Sequence, residues 1–310
     1  MINREIIRTK IVQLTYAYYQ NGNKNIESAE KELFFSLSKS YDLYNKMLSL
    51  IVAVTREARR HYEVELSRSR RENTKEPSQK FILNRFALQL EDNRQLLDFN
   101  EAQNTGWDDT PEVVRGLYNQ IVSSVIYKEY MESSDDDYAA DRELWRKLYR
   151  ALIEHNADID AALEEQSLYW NDDREIVDTF VVKTIKRFDE KNGSNQELLP
   201  EYESDDDREY AHKLFRATIM NADEYQQYMS DASHNWDFSR LAYMDVVIMQ
   251  IAIAEMLTFP SIPINVTINE YINLAKIYST PQSWRYINGM LDGIARFLID
   301  SGKMMKVMNK

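Results

Sequence analysis

Only seven glycines and six prolines punctuate 310 residues, and this scarcity narrows the possible folds more than any other feature. Strand-rich folds need frequent tight turns built on these residues, so long helices joined by a few loops are expected. Residues 236–259 (WDFSRLAYMDVVIMQIAIAEMLTF) read as a helix apolar almost all round, which places it at the centre of a bundle. Apolar residues make up 44% of the chain, enough for a sizeable core, and the length favours two domains or one domain with a large insertion.

The chain contains no cysteine, which excludes disulfides, thiolate chemistry and cysteine-based zinc sites. The longest apolar block, 246–259, carries Gln250 and Glu255 and is too short to span a bilayer. The N-terminus is amphipathic instead of forming a leader, so a cytoplasmic protein without membrane association is expected. The formal net charge is −13. Nucleic-acid affinity comes largely from phosphate neutralisation, so any such role needs a local basic face or a basic partner.

Ile7, Ile11, Leu14 and Tyr18 share one stripe of a first helix over residues 3–19, ended at Asn21-Gly22-Asn23. On this helix Arg4 and Arg8 lie one turn apart and can present to one target. A second helix is expected near 26–38. A third, from 41 to about 60, turns Leu43, Met47, Leu50, Ile51 and Val54 inward. Residues 56–80 then mix eight basic side chains with Glu57, Glu63, Glu65, Glu72 and Glu76. A solvated helix tail with salt-bridged charges is favoured there over an RNA-facing strip. The tract to about Phe188 reads as helical, with loops near Gly106 and at 133–137, and the loop 189–207 is the best domain boundary. The acidic triplets 135–137 and 205–207 each precede an apolar-periodic segment and suit helix starts better than a metal site.

An internal repeat emerges at an offset of 66 residues. Asp141-Arg142-Glu143, Lys147, Leu148, Arg150, Ala151 and Ile153 recur as Asp207-Arg208-Glu209, Lys213, Leu214, Arg216, Ala217 and Ile219. Without a gap, Trp170 then matches Trp236, and Arg174 matches Arg240. The central tract is read as a degenerate copy of a C-terminal module.

In 268–294, Thr267 and Glu270 have the spacing of a capping box at a helix start. Pro281 suits the first position of the final helix, with Thr280 as its cap. Gly289 and Gly293 allow a neighbouring helix to approach closely, with Asn288 and Asp292 able to bond across the approach.

Ile268, Asn269, Glu270, Leu274, Ala275, Lys276, Ser283, Arg285, Tyr286, Ile287, Asn288, Gly289, Leu291 and Asp292 occur in the order of the C-terminal signature of the NusB family, which this chain resembles. Arg240, Asp245, Ile248, Met249, Ala252 and Glu255 follow the family's preceding helix, and Arg8, Val12, Gln13 and Tyr16 its N-terminus. The resemblance implies an all-α fold: a NusB-like bundle formed by residues 1–60 with 205–302, and a helical insertion over 61–204 that contains the repeat.

The family binds boxA-type RNA of nascent ribosomal RNA with NusE, a ribosomal small-subunit protein, in an antitermination complex on RNA polymerase. Carried over by residue, the resemblance puts RNA contact on Arg4, Arg8, Lys10, Gln282, Ser283, Arg285 and Tyr286, and partner contact on Tyr16, Glu255 and Tyr286. Arginine forks suit phosphate, and tyrosine can stack on an unpaired base. Glu255, in an apolar helix, requires a partner, either another protein or an internal cation. No cofactor, metal or catalytic activity is expected. The alternative function is a protein-binding scaffold that keeps the fold and has lost RNA binding, with the central repeat as its docking surface. A weaker third reading is a regulatory domain whose enzyme lies on another chain.

Overall fold

The computed structural model describes residues 1–22, 25–232 and 241–305. Asn23, Trp236 and Arg240, named above, lie outside the described residues. Among the described residues there are fourteen α-helices and no strand, as the glycine and proline scarcity predicts. One isolated bridge pairs Ile2 with Tyr202.

The chain divides into two compact units. The terminal unit comprises Ile2–Leu37 and the chain from Tyr202 onward; the central unit runs over Ser38–Glu201. The sequence suggested a first boundary at 60, whereas the units divide at 37. Helix α2 (Ile26–Glu72) is one helix of 47 residues where two were expected. The stretch Ser36-Leu37-Ser38-Lys39-Ser40 is polar but holds no glycine or proline to end a helix. Leu43, Met47, Leu50, Ile51 and Val54 are all fully buried in the central unit.

The terminal unit is built around α12 (Tyr243–Thr258), which packs against α1 (Arg4–Gln20), α10 (Asp205–Met220), α11 (Ala222–Ala232), α13 (Ile264–Tyr278) and α14 (Ser283–Asp300). Val247 through Met256 are buried without interruption, which requires neighbours on every side. Asn3 caps α1, its side chain accepting from the backbone N–H groups of Glu5 and Ile6 at 3.1 Å each. On α1, Ile7 and Ile11 are buried as expected, but Leu14 and Tyr18 are only half-buried; Ile6, Val12 and Thr15 complete the inner face.

Three local expectations in the signature segment are corrected. Helix α13 begins at Ile264, directly after Pro263, so Thr267 lies inside the helix and does not cap it. Helix α14 begins at Ser283, two residues beyond Pro281. A Cβ added at Gly289 or Gly293 meets nothing within 4 Å, so no helix approaches there.

In the central unit, α3 (Arg85–Glu91), α4 (Arg94–Gln103), α5 (Pro111–Ser123), α6 (Val125–Glu132), α7 (Tyr138–Leu148), α8 (Ala157–Gln166) and α9 (Arg174–Arg187) follow α2 in the chain. A π-turn, Tyr149–Ile153, continues α7. Asp137 caps α7 through the N–H of Ala140, and Asp205, Asp206 and Asp207 fill the first turn of α10, where the helix dipole favours carboxylates. The series α7–α8–α9 and α10–α11–α12 start within three residues of the 66-residue offset. Corresponding positions are buried in both: Asp141 and Asp207, Leu148 and Leu214, Val181 and Val247, Ile185 and Ile251. In each series the first helix packs against the third.

Candidate nucleic-acid interface

Two carboxylates on α12 anchor the two segments to which the sequence assigns binding. Glu255 anchors α1 and Asp245 anchors the start of α14; they lie ten residues apart, about 15 Å along the helix axis.

Glu255 is fully buried. It accepts from Arg8 Nε at 2.8 Å and Arg8 Nη2 at 3.1 Å, a bidentate pair. It also accepts from Thr267 Oγ1 at 2.7 Å, from the Tyr271 hydroxyl at 3.1 Å, and from the Tyr210 hydroxyl. Burial pushes the Glu255 carboxyl up, but the Arg8 guanidinium and these hydroxyls outweigh it and hold it below its usual range. The Tyr210 and Tyr271 hydroxyls are pushed well above theirs, first by burial and then by the Glu255 charge. Glu270, half-exposed, adds an ion pair to Arg8 Nη1 at 3.3 Å.

Arg8 is 5% exposed and faces inward, which tells against its assignment to RNA, and of the two partners expected for Glu255 the structure supplies the internal cation. Lys10 is likewise buried, at 1% exposure, on the inner face of α1. Arg4 remains outside: its guanidinium carbon lies 5.1 Å from the centre of the Tyr210 ring, and Nε lies 3.6 Å from Asp207. Tyr16 is exposed at the rim and meets Tyr243 edge-on at 5.7 Å.

At the start of α14, Ser283 is buried and donates to Asp245 Oδ2 at 2.8 Å; Ser279 donates to Asp245 Oδ1. Asp245 thus ties the end of α13 to the first residue of α14 and fixes the turn between them. Ser283 serves this turn, with its buried hydroxyl committed to Asp245. Gln282 and Arg285 are exposed, and Tyr286 is half-buried. Burial, then the Asp245 charge, pushes the Tyr286 hydroxyl up.

Sequence reasoning passed over Trp284. Its ring lies 5.3 Å from the Arg285 guanidinium carbon and 5.4 Å from Lys276 Nζ, so two cations from two helices flank one indole. An aromatic side chain beside a basic one in the turn was the available signal. Among the described residues no cluster of acidic or histidine side chains could hold a metal, and no helix is long and apolar enough to cross a membrane.

The NusB family profile matches residues 177–296, from within α9 to near the end of α14. The transcription antitermination protein NusB of Salinibacter ruber is 32% identical over 132 residues, 41% of this chain and 82% of that protein. NusB of Geotalea uraniireducens is 36% identical over 135 residues, 44% of this chain and 90% of the relative. NusB of Dictyoglomus turgidum is 40% identical over 87 residues, covering 28% and 60% respectively. No solved structure matches significantly. Most of each of the first two relatives is therefore matched, at over 30% identity, while more than half of this chain lies outside those matches, and the chain belongs to the NusB family.

Proposed function

We propose that the chain is a non-enzymatic transcription antitermination factor that binds boxA-type RNA together with NusE and joins an antitermination complex on RNA polymerase. The observation that carries the reading is the half-buried Trp284 with the exposed Lys276 and Arg285 beside it, held at a turn that Asp245 fixes through Ser279 and Ser283. An indole between two cations suits an unpaired base and its phosphate: the ring stacks and the cations neutralise. Arg4, Gln282 and Tyr286 are the further RNA contacts proposed, with Tyr16 and Tyr286 proposed for the partner. Arg8, Lys10, Ser283 and Glu255 hold these groups in place from inside.

With a net charge of −13, the chain alone binds RNA weakly, and a basic partner supplies the remaining phosphate neutralisation. The test is a titration of boxA RNA with the full chain, with and without NusE, over a salt series. Trp284→Ala with Arg285→Ala is expected to weaken binding by roughly tenfold or more, since base–aromatic stacking is worth about 1–3 kcal/mol. An absence of RNA binding both with and without NusE rejects the reading and leaves the protein-binding scaffold.

A further inference from the structure

Two basic clusters occur in the central unit, and they differ in one respect. Along α2, Arg56 and Arg59 pair with Glu91, Arg60 with Glu57, Arg68 with Glu72, and Arg70 with Glu76. Those charges are neutralised within the chain. The second cluster lies where the π-turn after α7 faces α9. There Arg150 and Glu154 line one side of a groove of about 290 Å³, and Thr179, Lys183, Lys186 and Arg187 line the other. All four cations are exposed, and none forms an ion pair among the described residues. Glu154 is the one carboxylate lining the groove.

The helix dipole accounts for part of this. Lys186 and Arg187 occupy the last turn of α9, where cations are favoured. Lys183 lies a turn earlier and Arg150 on another segment, so the dipole explains neither. The repeat offers a comparison. Arg216, the counterpart of Arg150, donates from Nε to Glu30 at 2.9 Å and is neutralised in its own unit. Arg150 has no such acid. Four unneutralised cations held together on an acidic protein repel one another, and an anion relieves that repulsion.

We infer that the groove formed by Arg150, Lys183, Lys186 and Arg187 binds the phosphate backbone of single-stranded RNA without regard to sequence. The inference rests on the RNA-binding reading above and adds a second binding surface to it. An acidic protein is the competing ligand. Protein docking sites carry apolar or aromatic anchors at their centre. Here the one apolar lining residue, Val182, is itself buried, so the groove presents cationic side chains with their alkyl stems and no apolar or aromatic anchor. Phosphate binding needs nothing more.

The experiment titrates the full chain with a fluorescent single-stranded RNA lacking boxA and, separately, with boxA RNA, each with and without NusE, between roughly 50 and 200 mM salt. The variant changes Arg150, Lys183, Lys186 and Arg187 to Gln, with thermal unfolding as the control for folding. Affinity for both RNAs is expected to fall by roughly tenfold or more, and the slope of log K against log salt by about 0.7 for each phosphate that the variant no longer neutralises. Unchanged affinity and slope in the variant overturn the inference and leave the proposed function standing. Binding of boxA RNA alone by the native chain does the same. No RNA binding with or without NusE sinks both. Loss of polyglutamate binding by the variant with RNA binding intact assigns the groove to an acidic protein and overturns the inference.

Discussion

The Arg8 guanidinium grips the Glu255 carboxylate through two hydrogen bonds, of 2.8 and 3.1 Å, in the interior of the terminal unit. Taking either charge out of water costs several kcal/mol, and their attraction offsets this only because the hydroxyls of Thr267, Tyr271 and Tyr210 satisfy the remaining oxygen lone pairs. Removing one partner strands the other. Arg8→Ala is therefore expected to destabilise the protein by about 3–5 kcal/mol in urea unfolding. Arg8→Met with Glu255→Met should recover much of that loss, since the uncompensated charge is gone. A loss of RNA binding in Arg8→Ala that tracks the lost stability identifies Arg8 as a support for the interface; full stability with lost binding would restore it as a direct RNA ligand.

The same pair sets the acid limit of stability. The Glu255 pKa lies below 4.5 in the folded protein, and the unfolded chain has the ordinary value. Its contribution is then complete above pH 4.5 and is lost as pH falls through the folded value. Glu255→Gln is expected to be less stable than the native chain at neutral pH and to show a flatter decline in acid. At the alkaline end, Tyr210 and Tyr271 have raised pKa values, so their contribution is present below pH 10 and fades above it as the unfolded chain ionises. Unfolding midpoints measured across pH check both edges.

Gly289 and Gly293 read in the sequence as a site of close helix approach, yet both are exposed and an added methyl meets nothing within 4 Å. In a helix interior each glycine costs about 0.5–1 kcal/mol relative to alanine. Gly289→Ala and Gly293→Ala are therefore each expected to raise the melting temperature of the isolated protein, since neither added methyl meets a neighbour. A destabilised variant would show that something packs on this face of α14.

The architecture was largely legible in the sequence because it follows from composition and periodicity. Few helix breakers leave a helical chain, although among the described helices only α2 is long and the others run from 7 to 18 residues, and an apolar α12 has to be central. Helix ends were less legible. Ser36 to Ser40 reads as a break, but polarity alone does not stop a helix, and α2 runs through it. Thr267 and Glu270 have capping-box spacing, but Pro263 starts α13 a turn earlier, and the Thr267 hydroxyl goes to Glu255 instead. The direction of Arg8 was hidden for a related reason. Spacing puts Arg4 and Arg8 on one side of α1, but Arg8 is flanked by Ile7, Ile11 and Val12, and a buried carboxylate in α12 draws it inward. The groove at Arg150 combines segments more than twenty residues apart in the chain, so no local pattern reveals it.

Lys46 provides the last test, in the central unit. It is 3% exposed, and its ammonium donates to the Gly106 carbonyl at 2.6 Å while lying 4.6 Å from the centre of the Trp107 ring. The Trp107 indole N–H in turn donates to the Lys46 carbonyl at 2.8 Å, which fastens the loop after α4 onto α2. Burial lowers the Lys46 pKa from 10.5 to about 8, against the opposing pull of Asp109 and Asp108. Below about pH 8 the ammonium is charged in both states, and the cost of burying it is fully present. Between 8 and 10.5 the folded protein has released a proton that the unfolded chain still holds, so this site's contribution to stability rises with pH. Urea unfolding from neutral pH to about pH 9.5 is expected to show that rise in the native chain and its absence in Lys46→Met, the comparison between the two cancelling groups that titrate alike in both. Parallel profiles for the two proteins would mean that Lys46 keeps an ordinary pKa and that water reaches its ammonium beside Trp107.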